Sequence, residues 1–429
     1  MIGGFLTKIL GMIIKMVMSR LMGSEGIGLY MLVLPTFTLL IGIGQFGLPV
    51  ALSKLVAEDT KNNKNLLFSL LPISFFINFL IIIFVILAAP ILAQTFLHEP
   101  RARLPILAMA VVLPLTSCSG IVRSYFFGKQ QMLPHVVSNV TEDIVRLTLI
   151  IIGVPFFLQK GLETAVTYVI LTNVVSELAS ILVLFFFLPK KIAVRRQDFT
   201  FNRTYAKEAM HISIPNTASR LVGSLGYFLE PIILTSTLTV CGYSSSFIVN
   251  QYGVLSGFVL PLLLLPSFFT GAISQALLPV ISKATSHHHD QYAKKKVKQA
   301  IFFSLLIGLP MTILFILIPD VFLQIIYHTR QGVPYMRFLA PICLLQYIQA
   351  PLSATLDAMG HSKDNFKATL IGTCIRTIGL FLFSLLHIGL WGLLLATSLN
   401  IIFTTIYNYY QVKKSFSALV SRNFQKNHV

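Results

Sequence analysis

Lys8 and Lys15 lie in one apolar stretch with Gly4 and Gly11, and the four follow an i, i+4, i+7, i+11 pattern. On a helix that spacing puts them on a single face. Two ammonium groups beside two glycines make a surface where a phosphate can approach the backbone closely. The competing readings are headgroup snorkelling for Lys8 and a structural ion pair for the deeper Lys15. Arg220, within Ser219-Arg220-Leu221-Val222-Gly223, has no carboxylate three or four residues away. It must meet an anion on another helix or in a substrate. Arg123, near the end of its apolar run, either contacts substrate or snorkels. Glu142 and Asp143 precede Arg146 by four and three residues, the spacing of intrahelical pairs, and that trio reads as mainly structural. With Glu177, Glu230, Asp357 and Arg376, the ionisable groups inside apolar runs sum to only +1. Counting alone therefore does not define an anion-binding cavity.

Other chemistry is weaker. No Walker A, GxSxG or HExxH pattern occurs, and loops such as 237–250 and 388–390 are too short for a glycosyltransferase or ligase site. The expectation is a protein that is not an enzyme and carries no cofactor. His287-His288-His289 could begin a metal site, but no cysteine or second histidine cluster completes it, so a solvated loop is favoured. Cys118, Cys241, Cys343 and Cys374 show no CxxC spacing and read as small packing residues.

The elements that must hold these groups are hydrophobic. The chain has 429 residues, 55% hydrophobic and 11% charged, with mean hydropathy +0.79. Soluble domains carry about 25% charged residues, so the bilayer is the solvent here. Apolar runs fall at 2–20, 27–52, 66–96, 104–127, 136–158, 163–188, 209–236, 250–281, 299–327, 337–358, 367–387 and 390–411. Their length, about 20 residues, predicts spanning helices rather than barrel strands. The net charge of +18 lies mostly in short loops, which argues for orientation rather than nucleic-acid binding. Placing the N-terminus inside puts 21 Lys and Arg in inner segments against 6 in outer loops, so both termini are expected in the cytoplasm. The first run lacks a small-x-small cleavage site and is read as a retained span.

The chain also repeats at an offset near 230. Leu48-Pro49-Val50 recurs as Leu278-Pro279-Val280, Leu34-Pro35 as Leu265-Pro266, and Ile144-Val145-Arg146 as Cys374-Ile375-Arg376. Six helices per repeat predict an all-α membrane protein of two six-helix lobes, 1–188 and 209–411. A basic linker at 189–208 joins them and a tail follows at 412–429. A pseudo-twofold axis along the membrane normal would place a site between the lobes. Pro35 and Pro266 are expected to kink spans and serve gating.

Four segments carry a family resemblance: Gly47–Glu58 (GLPVALSKLVAE), Gly120–Leu147, Ile214–Glu230 and Tyr252–Lys283. They resemble the stage V sporulation protein B-like family of polysaccharide exporters, related to the lipid II flippases within the superfamily that includes multidrug and toxin extruders. The resemblance implies alternating-access transport of an undecaprenyl-diphosphate-linked sugar across the cytoplasmic membrane. A Ser-Arg-x-x-Gly stretch in the first helix of the lipid II flippases contributes to a cationic cavity. It matches Thr7-Lys8-Ile9-Leu10-Gly11, so the resemblance gives Lys8 that role, and the basic residue closing their second helix matches Lys54 loosely. Their second first-helix arginine falls at Ile14, with Lys15 adjacent. Their two further helices, which form a groove for the lipid tail, find no counterpart after the twelfth run.

The expected function is thus a flippase for a lipid-linked oligosaccharide of peptidoglycan or spore-cortex type. Lys8, Lys15, Lys54, Arg123 and Arg220 would bind the substrate, and Glu142, Arg146 and Arg376 would be structural. Coupling to the membrane potential or to an ion stays open. So do two alternatives: a drug/cation antiporter using Glu177, Glu230 or Asp357, and a non-transporting sporulation scaffold.

Overall fold

Apolar runs that cannot hydrogen-bond to lipid must satisfy their own backbone, which selects helices. The computed structural model describes residues 2–58, 63–187, 203–287 and 289–426, and every regular element among them is helical. Among the described residues the twelve apolar runs are mainly helical, with short turns interrupting or ending some of them, as at 46–47 and 264–265. The elements are α1 (Ile2–Gln45), α2 (Leu48–Ala57), α3 (Asn63–Ile91), α4 (Arg103–Gly128), α5 (Met132–Leu158), α6 (Leu162–Phe187) and α7 (Arg203–Val240). There follow α8 (Ser245–Gly253), α9 (Leu260–Leu263), α10 (Pro266–Ser286), α11 (Asp290–Leu317), α12 (Pro319–Tyr327), α13 (Val333–Ala358), α14 (Ser362–Ser384) and α15 (Trp391–Lys426).

The first two runs share α1. A straight helix of that length would measure about 66 Å, more than twice the hydrocarbon core. Gly23, at φ 69° and ψ −173°, divides it into 2–22 and 24–45. Only glycine takes that conformation without strain. Among the described residues, eight helices are long and apolar enough to span by themselves, or nine if the two halves of α7, bent by 43° between Ala218 and Gly223, count as one span. α5 is not among them for a simple reason: every 18-residue stretch of it contains Glu142, Asp143 and Arg146. Its opposite flank is apolar, with Ile144, Ile151, Ile152 and Phe156 at least half exposed. Phe76, Phe84 and Leu87 of α3 are likewise exposed by 60% or more, as a lipid-facing surface requires.

The helices pack as two compact units, one of Met1–Thr239 with Tyr243–Gly253, the other of Val240–Gly242 with Val254–Val429. In the first, Leu48, Ala51, Leu52 and Leu55 of α2 pack on Leu66, Leu70, Ile121 and Ala209. α1 and α8 meet backbone to backbone. A Cβ on Gly28 would lie 2.0 Å from the Val249 carbonyl oxygen, and one on Gly253 the same distance from that of Ser24. In the second unit, Leu277, Ile281, Val297, Leu352, Leu356, Val412 and Phe416 join α10, α11, α13 and α15.

The packing division thus follows α8, whereas the sequence division precedes α7. Residues 189–202 of the predicted linker lie outside the described residues, as do residue 188 and His288. The repeat is also not broken at matching points. Pro49 opens α2 after a left-handed turn at Phe46 and Gly47, while Pro279 sits inside α10. Pro35 lies within α1, but Pro266 begins a helix, where proline fits without breaking hydrogen bonds.

Candidate functional site

Between α2, α4 and the start of α5 lies a cavity of about 630 Å³. The left-handed Gly47 starts α2, and Lys54 falls in its last turn, where a cation meets the negative end of the helix dipole. Gly128 lets α4 approach α2 there: a Cβ would stand 2.6 Å from the Ser53 carbonyl oxygen. Lys54, Arg123 and His135 line the cavity with Gln45, Ser53, Ser124 and Gln130, and Pro49, Val50, Phe127 and Met132 supply apolar wall. No carboxylate is in this lining among the described residues. Lys54 is exposed, and no carboxylate pairs with it among the described residues. The structure therefore brings together two of the five predicted substrate contacts, Lys54 and Arg123.

Arg123 is held from behind. Its guanidinium donates to Glu142 of α5, to Glu177 of α6 at 3.2 Å and to the Ser180 hydroxyl at 2.6 Å. Glu142 also accepts from Arg146, whose other amino group reaches Asp143 at 3.5 Å, and Ser119 of α4 donates to Glu177. The intrahelical pairs expected from the α5 spacing are present. They are part of a five-charge cluster across α4, α5 and α6, and three carboxylates against two guanidiniums leave it at −1. Glu142 and Glu177 are 8% and 6% exposed, so this charge balance is settled in low dielectric.

The other predicted contacts do not line the cavity. Lys8 is exposed and Lys15 half-buried on α1, and Arg220 is exposed at the bend of α7. Arg376 is half-buried on α14, in the other unit. Among the carboxylates considered for cation transport, Glu230 is buried and accepts from the Tyr252 hydroxyl at 3.3 Å. The exposed Asp357 accepts from the Asn365 amide at 3.1 and 3.2 Å.

A second polar assembly, at the opposite end of α4, went unread in the sequence. Arg101 donates to Glu25 of α1 at 2.7 Å and to both oxygens of Glu99, at 2.7 and 3.0 Å. From α8, Ser245 donates to Glu99 at 2.5 Å and Ser246 to Glu25 at 3.1 Å. Burial alone would raise the Glu99 carboxyl, but the hydrogen bonds from Arg101 and Ser245 and the Arg101 charge hold it below its ordinary value. The only local signal was Glu99-Pro100-Arg101, in which Glu99 caps the short turn by accepting from the Arg101 backbone N–H. The distant partners are Glu25, 76 residues from Arg101, and Ser245, 146 residues from Glu99.

This multi-pass helical build has clear relatives. The sequence profile described as Polysaccharide biosynthesis protein matches residues 1–285, and the chain belongs to that family. It is a membrane transporter of the superfamily that also contains the multidrug extruders, and a profile described as MatE matches residues 224–382. Stage V sporulation protein B of Bacillus subtilis (strain 168) is 34% identical over 422 residues, covering 96% of this chain and 82% of that protein. The lipid II flippase MurJ of the same organism is 22% identical, covering 98% and 83%. Among solved structures, an inward-facing multidrug resistance MATE family transporter superposes with a TM-score of 0.74 at 17% identity, covering 97% of this chain and 96% of that one. The inward closed lipid II flippase MurJ gives 0.72 at 16%, covering 97% and 89%. These likenesses place the chain in the twelve-helix, two-lobe fold.

Proposed function

We propose that the protein flips a polyprenyl-diphosphate-linked oligosaccharide of peptidoglycan or spore-cortex type across the cytoplasmic membrane by alternating access. Both termini lie in the cytoplasm, as the 21-to-6 Lys and Arg distribution favours. Residues 1–188 and 209–411 act as two six-helix lobes, and the membrane potential or a coupled ion drives the cycle. The observation that carries this reading is Lys54, which stands in the cavity among apolar and neutral polar groups with no carboxylate among the described lining residues, while Arg123 beside it is held by Glu142 and Glu177. Such a surface favours an anion. A cation antiporter would need an open carboxylate, whereas Glu142 and Glu177 are occupied by arginines, Glu230 accepts from the Tyr252 hydroxyl and Asp357 from the Asn365 amide. Lys8, Lys15 and Arg220 are assigned to later contacts with the diphosphate as the transporter changes state.

The test is reconstitution into liposomes with a labelled polyprenyl-diphosphate sugar. Charge-assisted hydrogen bonds contribute about 1.5–3 kcal/mol each, so Lys15→Ala or Arg220→Ala should slow flipping on the order of tenfold or more. Parental rates in both folded variants would remove those residues from the mechanism. No flipping by the parent protein would favour the scaffold alternative.

A further inference from the structure

We propose that the second unit carries a site for the phosphate headgroup of an anionic phospholipid, seated between α11 and α15. A cavity of about 430 Å³ opens there. Lys294 and Lys298, one helical turn apart on α11, face Lys413 from α15 across it, and these lysines are the only charged groups in its lining among the described residues. All three are exposed, and no carboxylate pairs with them among the described residues. Asp290, one turn before Lys294, is buried and lies outside the lining. Lys296 points elsewhere, over the Tyr292 ring at 5.3 Å.

The floor of the cavity is apolar. Val297, Leu352, Val412 and Phe416 are at most 6% exposed and belong to the core cluster that joins α11, α13 and α15, so the lysines stand on a fixed base. Three ammonium groups over an apolar floor suit an amphiphile with a phosphate head better than a free phosphate, which would use the lysines alone. The continuation of α11 supports the same choice. Beyond Lys298, Phe302, Phe303, Leu306 and Leu309 are 46–61% exposed, so a lipid bound by its head at the lysines has apolar helix surface for its acyl chains. A lipid held in this way ties α11 to α15. The site stands on these residues alone and does not depend on the transport reading.

The experiment measures lipid binding and thermal stability of the purified full-length protein, using dioleoylphosphatidylglycerol, dioleoylphosphatidylcholine and inorganic phosphate as separate probes. Variants are K294Q/K298Q/K413Q, the charge-retaining K294R/K298R/K413R, and K283Q/K363Q/K367Q, which removes the same charge from other exposed positions. Each lysine near an anionic head contributes about fivefold to affinity, so the cavity triple should bind phosphatidylglycerol on the order of a hundredfold more weakly. The arginine triple and the distant triple should bind it like the parent, and phosphatidylcholine should bind weakly throughout. Unchanged phosphatidylglycerol binding in the cavity triple would overturn the proposal, as would equal loss in the distant triple. Stabilisation by inorganic phosphate equal to that by phosphatidylglycerol would identify a soluble anion site and overturn the lipid assignment. A cavity triple that does not fold leaves the arginine triple to decide: loss of lipid binding there, with charge intact, would also count against it.

Discussion

Replacing Arg123 by glutamine should destabilise the first unit more than replacing Glu142, although Glu142 joins both arginines of the cluster. The charges give the order. With Glu142→Gln the cluster becomes neutral, and each guanidinium keeps a carboxylate: Arg123 keeps Glu177 at 3.2 Å and Arg146 keeps Asp143 at 3.5 Å. Two charge-assisted hydrogen bonds weaken toward ordinary ones, at about 1 kcal/mol each, for a loss of about 2 kcal/mol. With Arg123→Gln a single arginine faces three carboxylates, and among the described residues Ser119 alone is left donating to Glu177. Removing one partner of a buried pair costs about 3–5 kcal/mol. Because the excess comes from an uncompensated carboxylate, adding Glu177→Gln to Arg123→Gln should recover part of the loss. The assay is the apparent unfolding temperature in detergent, followed by loss of monodisperse protein on heating, for the two single variants and the double. An inverted order of the single variants, or a double variant less stable than Arg123→Gln, would refute the charge argument.

Three other perturbations follow from the geometry. Gly253→Ala forces a methyl against the Ser24 carbonyl oxygen and should cost about 1–3 kcal/mol, whereas Gly11→Ala, with no atom within 4 Å of its Cβ position, should be tolerated; thermal stability compares them. Glu99 has a lowered folded pKa, so its contribution is fully present above the ordinary carboxylate range and is lost as pH falls through the depressed value. Stability of the parent should therefore drop on acidification more than that of Glu99→Gln, and equal pH dependence would exclude the carboxylate as the cause. Lys295→Cys in a background lacking the native cysteines should resist impermeant thiol reagents in intact cells and react after permeabilisation, and labelling from outside would reverse the proposed orientation.

The helices were legible because a lipid solvent leaves a long apolar run few alternatives, and the described parts of all twelve runs are mainly helical. Helix ends and breaks were less so. The left-handed turn at Phe46 and Gly47 sits against other elements, with Ser213 and Thr217 packed on Gly47, which no local spacing encodes. The α5 trio was legible for the opposite reason, because i, i+3 and i, i+4 pairs are local. Its extension to Arg123 and Glu177 joins residues 19 and 54 apart, and the Glu25–Glu99–Arg101–Ser245 assembly spans longer separations still. Composition shows that such groups need partners, but not which partners they take.

That distinction decides which cation has charge left for a substrate. Arg123 lines the cavity, yet its guanidinium is already engaged by two carboxylates in a cluster of net −1, so it shapes the wall more than it attracts anions. Lys54 stands in the same cavity without a carboxylate partner among the described residues, at the dipole-negative end of α2. Lys54→Gln should therefore weaken binding of a diphosphate lipid on the order of tenfold to a hundredfold while leaving the unfolding temperature near the parental value. Arg123→Gln should lower the unfolding temperature first and affect binding in proportion to the protein that remains folded. Measuring both quantities on the same preparations separates an anion contact from a wall residue. Full binding by a stable Lys54→Gln protein would mean that the anion is held elsewhere in the chain, and that this cavity is not its seat.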